Sequence, residues 1–230
     1  MEEALWIGRS GRGACDLLSR EAEALGDMMT TLYRPNRWSL TVSVAPTAEP
    51  ITVADLKDMA RIQTSDEEYS LSGIVTAARQ AVENATRRAL MTQTRVLKLD
   101  AFPAGDQYFE LPGGNIQSVT SIIYNDTDNA TQTLSSAVYE TDFGTDGGTG
   151  RIGLAPDQEW PDLGDSGLNV TVTYVAGWTS AALVPQSLKH AIALMASWLY
   201  DNRAAFDMSK AEANPAFDAL IAPYRIHRVS

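Results

Sequence analysis

The hydrophobic residues of this chain follow a helical period towards both ends of the sequence and an alternating period in the middle. Apolar residues three and four positions apart predict helices. Such stretches lie at about 15–32, after Thr52, from Thr64 to about Leu90, from Val184 to Arg203, and at 216–222. At the second of these, the Thr52 hydroxyl can accept an early backbone N–H while Asp55 reaches back. This pairing is a helix start signal.

Two of the predicted helices carry side chains suited to close packing. The helix that ends near Leu90 contains five alanines, which are small enough to let another helix approach. The helix after Val184 carries a bulky apolar stripe on one side. The candidates for subunit packing on these two helices are Leu71, Ile74, Ala78, Ala85 and Trp198.

Between residues 92 and 182, β-branched and aromatic residues alternate with polar ones, which is typical of strands. Strands are predicted at 92–101, 107–111, 117–124, 138–141, 151–154 and 168–176. Turn signals such as Pro112-Gly113-Gly114 and Asp146-Gly147-Gly148 separate them. Because no helical stretch intervenes, the pattern predicts an antiparallel sheet or a small sandwich.

The predicted fold class is therefore α+β. It consists of a small helical bundle, with two helices before and two after an inserted antiparallel β-sheet or sandwich module. The predicted segments are an N-terminal arm at 1–44 (a helix at about 15–32, then a linker with a possible strand at 39–44), a helical bundle at 45–91 and 183–223, a β module at 92–182, and a C-terminal tail at 224–230.

The net charge of the chain lies in the predicted β module. The 230 residues contain 18 Lys and Arg against 29 Asp and Glu, a formal net charge of −11. Residues 100–182 hold 12 of the acids and a single base, Arg151, so this acidic block accounts for the whole net charge. A nucleic-acid-binding surface needs clustered Lys and Arg. The charge distribution therefore argues against such a surface.

Residues with catalytic or metal-binding chemistry are sparse. The single cysteine, Cys15, excludes an internal disulfide and a cysteine-based zinc site within one chain. His190 has no metal-binding partner at helical spacing, and His227 lies in a basic tail. The carboxylate pairs, which do not follow the ligand register of a calcium loop, are Asp126/Asp128 and Asp142/Asp146. We expect no cofactor, no metal and no enzymatic activity. Without an apolar run of about 18–20 residues, we also expect no membrane span.

A succession of short motifs runs through residues 45–225. The motifs are Glu49-Pro50-Ile51-Thr52-Val53-Ala54-Asp55-Leu56-Lys57, Asp66-Glu67, Thr86-Arg87-Arg88-Ala89-Leu90, Leu111-Pro112, Val119-Thr120-Ser121-Ile122, Gly150-Arg151-Ile152, Val172-Thr173-Tyr174-Val175-Ala176-Gly177-Trp178 and Pro185-Gln186-Ser187-Leu188-Lys189-His190-Ala191-Ile192. In this order they resemble the head–tail connector (adaptor) proteins of tailed double-stranded DNA phages and of related gene transfer agents. Residues 1–44 have no counterpart in this resemblance.

The resemblance implies a structural, non-enzymatic component of a virion. Connectors of this family form a homo-oligomeric ring, commonly of about a dozen copies, between the portal protein and a stopper or tail-completion protein. By this resemblance the chain would be made in the bacterial host cytoplasm and would reside in the neck, between head and tail. DNA would pass through the ring without sequence-specific binding, and no membrane would be involved.

Two sets of residues are candidates for this function. A ring around DNA should repel phosphates so that the polymer slides, which favours acids that face the channel or the next component. The alternative is that the same acids only solvate outer loops. These acids are Asp100, Asp106, Glu110, Asp126, Asp128, Glu140, Asp142 and Asp146. The aromatic and basic tail is suited to docking, and the resemblance makes the portal its partner. The docking candidates are Tyr224, Arg225, His227 and Arg228.

Two other functions stay open from the sequence. The β module could bind a carbohydrate or protein ligand. With less support, the central carboxylates could serve a metal-dependent hydrolase. The assembly state separates these functions, because a connector must form rings with its partners, whereas a binding module or a hydrolase can act as a monomer or dimer.

Overall fold

The computed structural model describes residues 37–63, 68–104, 108–144, 148–165, 167–202 and 215–226. The helices are α1 (Val53–Ala60), α2 (Glu68–Thr86), α3 (Gln186–Asp201) and α4 (Pro215–Ile221), with 3-10 turns at Ala181–Leu183 and Ala222–Tyr224. The helix predicted at about 15–32 lies outside the described residues. Among these four helices, two precede the consecutive strands of the β module and two follow them, so the predicted α+β order is confirmed. None of the described helices combines the length and apolar character that a membrane crossing requires.

Helix α1 begins with the predicted capping box. Thr52 Oγ1 accepts the Asp55 N–H at 3.1 Å, and the Asp55 carboxylate accepts the Thr52 N–H at 2.8 Å. These bonds satisfy donors that the start of a helix leaves without intrahelical partners. The bond from the Thr52 backbone is also the main reason why the pKa of the Asp55 carboxyl is lowered. The sequence signal therefore sets the start of the bundle as predicted.

Helix α2 ends at Thr86 rather than near Leu90, which corrects the predicted boundary. Arg87 takes a left-handed backbone conformation, with φ of 58°. The N–H of Arg88 then donates to the carbonyl oxygen of Glu83 at 3.2 Å. This closes the helix in the manner usually signalled by glycine. Because the residue at this position is an arginine, the sequence does not reveal the end of the helix.

The four helices pack around one apolar core. Its buried members include Leu56 of α1, Val75 and Val82 of α2, Leu188 and Ile192 of α3, and Phe217 and Ile221 of α4. Leu71 and Ala78 are fully buried in this core, so these two subunit-packing candidates pack the helices of a single subunit. Ile74, Ala85 and Trp198 are partly buried against the same core. A role for these three in packing between subunits stays a prediction.

The strands form two antiparallel sheets. They are β1 (Trp38–Val44), β2 (Gln93–Leu99), β3 (Phe109–Leu111), β4 (Ile116–Asn125), β5 (Thr131–Thr133), β6 (Tyr139–Asp142), β7 (Gly150–Leu154) and β8 (Val170–Ala176). The large sheet has the order β1-β2-β8-β4-β5, and the small sheet has the order β3-β7-β6. All neighbouring strands in both sheets run antiparallel, as predicted.

Strands β1 and β5 correct the predicted outline of the β module. The linker strand predicted at 39–44 is a full member of the large sheet, and its pairing with β2 runs from Trp38↔Leu99 to Val44↔Thr94. The strand therefore belongs to the β module and not to an N-terminal arm. Strand β5 was not predicted, because its three polar, exposed residues carry no alternation of hydrophobicity.

The two sheets meet through aromatic and aliphatic side chains. Phe102 stacks on Trp160 with ring centroids 4.6 Å apart, and Phe109 of β3 lies 6.3 Å from the same indole. The Tyr174 hydroxyl on β8 donates to the carbonyl oxygen of Pro112, just after β3, at 2.6 Å. These contacts make the β module a small sandwich, with Trp160 partly buried between the sheets.

The β module joins the helical bundle at the end of the large sheet where β2 begins and β8 ends. Gly177, directly after β8, has φ of 108°, and any Cβ there would collide with the carbonyl group of Met91. At a second crossing, the Ala89 N–H donates to the carbonyl oxygen of Gly113 at 2.7 Å. Direct contact between backbones is possible because glycine has no side chain. These crossings hold the sheet against the chain that leaves α2.

Candidate functional site

Acidic residues occupy only part of the β module. The strands of the large sheet contain no acid, and their charged residues are Arg95 and Lys98 of β2. The described acids of residues 100–182 lie in the connecting segments and in the small sheet. The charge that the sequence assigns to the whole module is therefore carried by the loops and the small sheet.

Five of these acids gather at the end of the large sheet that lies away from the helical bundle. This acidic end comprises Asp100, Asp126, Asp128, Asp162 and Asp165. The register explains why they meet, since Leu99 of β2 and Tyr124 of β4 both pair with Val170 at the start of β8. The Gly164 N–H also donates to the carbonyl oxygen of Asn125 at 3.1 Å. Segments that are distant in sequence therefore place their acids at the same end of the sheet.

Asp126 organises the turn at the acidic end. Its Oδ1 accepts the backbone N–H groups of Asp128 at 3.0 Å and Ala130 at 2.9 Å, and its Oδ2 accepts the side-chain amide of Gln132 at 2.9 Å. The bond from Gln132, followed by that from Ala130, lowers the pKa of the Asp126 carboxyl. Asp126 therefore keeps its negative charge at acidities that protonate an unassisted aspartate.

The single base of the acidic block, Arg151, lies in the small sheet between two acids. On β7 it pairs in register with Glu110 of β3 on one side and with Asp142 of β6 on the other. Its guanidinium also lies over the Tyr108 ring, 4.4 Å from the centroid. This arrangement offsets part of the charge of the small sheet. At the acidic end a base from outside the block is present: the backbone of Arg37 exchanges hydrogen bonds with Asp100, and its guanidinium lies near Gly167.

The eight candidate acids thus separate into three groups. Asp100, Asp126 and Asp128 lie at the acidic end; Glu110, Glu140 and Asp142 lie on the small sheet; and Asp106 and Asp146 lie outside the described residues. Asp162 and Asp165 were not among the candidates, although they belong to the same acidic block. Only the pairing of β8 with its neighbours brings them to the acidic end.

The C-terminal segment leaves the bundle beside the end of α2. The Ile226 N–H donates to the carbonyl oxygen of Thr86 at 3.0 Å, and the Arg88 side chain donates to the carbonyl oxygen of Tyr224. Tyr224 is partly buried against the helical core. The first residues of the predicted tail are therefore part of the fold of their own subunit.

Arg225 also has a partner within its subunit. Its guanidinium donates to the Asp218 carboxylate of α4 at 2.7 Å, and both side chains are largely exposed. His227 and Arg228, the other two docking candidates, lie outside the described residues. The structure therefore holds Tyr224 and Arg225 against α2 and α4 of their own subunit, and portal docking by the four candidates stays a prediction.

A shallow groove of about 330 Å³ opens on the helical bundle between α1, α3 and α4. Its lining residues are Met59, His190, Ala193, Leu194, Ser197 and Leu220. The His190 side chain is exposed in this groove. In the part of the chain that the structure describes, no group of three His, Cys, Asp or Glu residues is placed to hold a metal ion.

Comparison with known proteins gives matches among solved structures. No family model and no curated protein matches the chain. The present chain is 27% identical to a chain in the neck of an empty gene transfer agent particle computed with C6 symmetry. That match has a TM-score of 0.69 and covers 84% of this chain and 97% of the neck chain. A chain in the virion of a native gene transfer agent particle is 25% identical, with a TM-score of 0.66, over 83% and 97%. A chain in the neck of a native particle computed with C12 symmetry is 25% identical, with a TM-score of 0.64, over 84% and 97%.

These likenesses to neck proteins of gene transfer agents support the head–tail connector (adaptor) family for this chain. This connector is a structural protein of the virion neck. Because each match covers 97% of the neck chain, it extends over both the helical bundle and the β module. The C6 and C12 symmetries of the matched necks support an oligomeric ring. The family predicted from the succession of motifs is confirmed.

Proposed function

We propose that this connector forms a ring of about a dozen copies that docks on the portal protein and receives a stopper or tail-completion protein on its other side. The proposal is carried by the match to neck chains over 97% of their length, in an assembly with C12 symmetry. In this position the ring joins the DNA-filled head to the tail and surrounds the path of the DNA.

The acidic end gives such a ring a surface to which DNA does not adhere. Phosphates bind where Lys and Arg replace their counterions, and the acidic end offers mainly carboxylates, with Arg37 beside them. Asp126 contributes a carboxylate whose charge is stabilised by three hydrogen bonds. In the proposed ring the acidic end faces the conduit or the next neck component.

Electron microscopy of purified particles tests the proposed position. A chain labelled at its N terminus should be seen at the neck, between the capsid vertex and the tail. Particles produced without the chain should be DNA-filled or leaking heads that lack tails. Normal tailed particles in the absence of the chain would overturn the proposal.

The docking segment is tested by a truncation placed where the structure allows it. Removing residues 227–230 keeps the Ile226–Thr86 hydrogen bond, so we expect a folded chain that no longer attaches to portal-bearing capsids. Removing residues from Tyr224 onwards also deletes the acceptor of the Arg88 side chain, so loss of folding would obscure the result. Undiminished attachment of the shorter truncation would exclude residues 227–230, with His227 and Arg228, as the portal contact.

A further inference from the structure

Strand β1 is built unlike the other edge strands of the two sheets. It has seven residues, WSLTVSV, with no charged residue and no proline. Strands β3 and β5 have only three residues each, and β6 has four residues that include Glu140 and Asp142. Natural sheets protect their edges by short length, charge or proline. Among the described strands, the three other edges follow this rule, whereas β1 has only the irregularity between Val42 and Val44 to interrupt its edge.

The side chains of β1 also extend the apolar inner face of the large sheet. They continue this face beyond the part that is buried in the sandwich. Trp38 and Leu40 pair in register with Leu99 and Leu97, which are buried in the sandwich. Because residues directly opposite in an antiparallel pair share a face, Trp38, Leu40 and Val42 continue that core surface, whereas Val44 pairs with Thr94 beyond an irregularity and lies on the other face. Trp38 is 45% exposed and Val42 50%. An apolar strip therefore lies open along an uncharged edge.

We infer that a neighbouring copy of this chain covers β1 in the ring, an inference that rests on the proposed function. In a cyclic ring, one surface of each subunit meets a different surface of the next subunit. Copies that each carry a net charge of −11 repel one another wherever acids face acids. The strands of the large sheet contain no acid, and β1 is their longest edge. Electrostatic repulsion between two acidic copies is therefore smallest where they meet at the uncharged apolar edge. An added strand would also supply main-chain hydrogen bonds.

Site-specific photo-cross-linking in assembled particles tests this inference. A benzophenone amino acid at Val42 should give products that contain two or more copies of this chain. Particles assembled from a mixture of heavy-isotope and unlabelled chains will show by mass spectrometry that the linked peptides come from different copies. A benzophenone at Gln158, an exposed turn residue after β7, is the control. It should give no products that contain two or more copies of the chain. Links from Val42 to residues 1–36 of the same chain, links to another neck protein, or no link would each overturn the inference.

A charge placed on the strip gives a second readout. Val42→Glu puts a carboxylate in the covered edge, and we expect it to reduce incorporation into necks by at least about tenfold, which corresponds to 1.4 kcal/mol. Thr41→Glu places the same charge on the opposite face of β1 and should assemble normally. Both residues are exposed, so the unfolding midpoint of each purified variant should match that of the parent chain. Equal incorporation of the two variants would contradict the inference, whereas absence of the parent chain from necks would instead contradict the proposed function.

Discussion

The guanidinium of Arg79 donates to the carboxylate of Glu83, one turn further along α2, at 2.6 Å, and both side chains are buried. The other carboxylate oxygen of Glu83 accepts the Leu90 N–H at 2.8 Å and the side-chain amide of Gln93 at 3.1 Å. Arg79 also reaches Glu49, ahead of α1, at 2.7 Å. One buried ion pair thus connects the segment before the bundle, the long helix and the start of β2.

Replacement of Arg79 by methionine will strongly destabilise the chain. The change leaves Glu83 buried without its cation, and breaking such a pair from one side costs about 3–5 kcal/mol. Guanidinium-induced unfolding measures this loss directly. Lys98→Met, at an exposed position of β2, is the control and should stay within about 0.5 kcal/mol of the parent chain. A loss of similar size in both variants would show that the ion pair is not the source.

The stability of the chain should depend on pH through Glu83. Burial raises the pKa of the Glu83 carboxyl, because desolvation outweighs the hydrogen bond from Leu90 and the charge of Arg79. The folded state therefore holds this proton more tightly than the unfolded state does. As pH rises from the ordinary glutamate range through the folded pKa, the stability contributed by the protonated form is lost.

Glu83→Gln isolates this effect, because the amide does not titrate. The free energy of unfolding of the parent chain minus that of the variant should fall as pH rises from about 4 towards neutrality. Urea unfolding at several pH values gives this difference. A difference that rises with pH would mean that the folded pKa of Glu83 is lowered instead.

Replacement by alanine should change the stability of the chain in opposite directions at two glycines. Gly177→Ala places a Cβ against the Met91 carbonyl at a φ of 108°, so we expect a loss of more than about 2 kcal/mol. Gly73 lies on the exposed side of α2 with open space around it. Gly73→Ala should therefore stabilise the chain by about 0.5–1 kcal/mol. Thermal unfolding of the two variants compares them, and a stabilised Gly177→Ala variant would refute the close backbone crossing.

Lysines at the acidic end should slow the passage of DNA. We expect particles carrying Asp128→Lys, Asp162→Lys and Asp165→Lys to eject DNA more slowly, with the effect weakening as salt is added, because phosphates bind the new cations. The control carries the same number of lysines elsewhere in the acidic block, at Glu140, Asp157 and Glu159. Equal slowing in both sets of particles would exclude a conduit-facing acidic end.

The sequence predicts elements whose signals are local. The Thr52–Asp55 capping box lies within one turn, and its hydrogen bonds form as expected. The end of α2 is different, because Arg87 adopts a conformation that the residue type rarely signals. The membership of β1 in the large sheet depends on pairing with β2, about 50 residues further along the chain.

The candidate site shows the same division between local and non-local information. Counting residues locates the acidic block, but only the strand register brings Asp100, Asp128 and Asp165 to one end of the sheet. The open edge of β1 has no sequence signature of its own, because exposure depends on what the sheet leaves uncovered. Hydrogen bonds from Ile226 and Arg88 likewise show that Tyr224 and Ile226 belong to the fold, which the sequence pattern does not reveal.

The strands of the large sheet carry the fold, while the loops and the small sheet carry the acids. A substitution in the loops of the acidic end can therefore change the electrostatic potential of the neck without disturbing a buried side chain. With the acidic end facing the DNA path, as proposed, changes at a few surface loop residues would alter how strongly a particle repels its own genome at the exit. The architecture that supports the ring can stay constant while this property drifts.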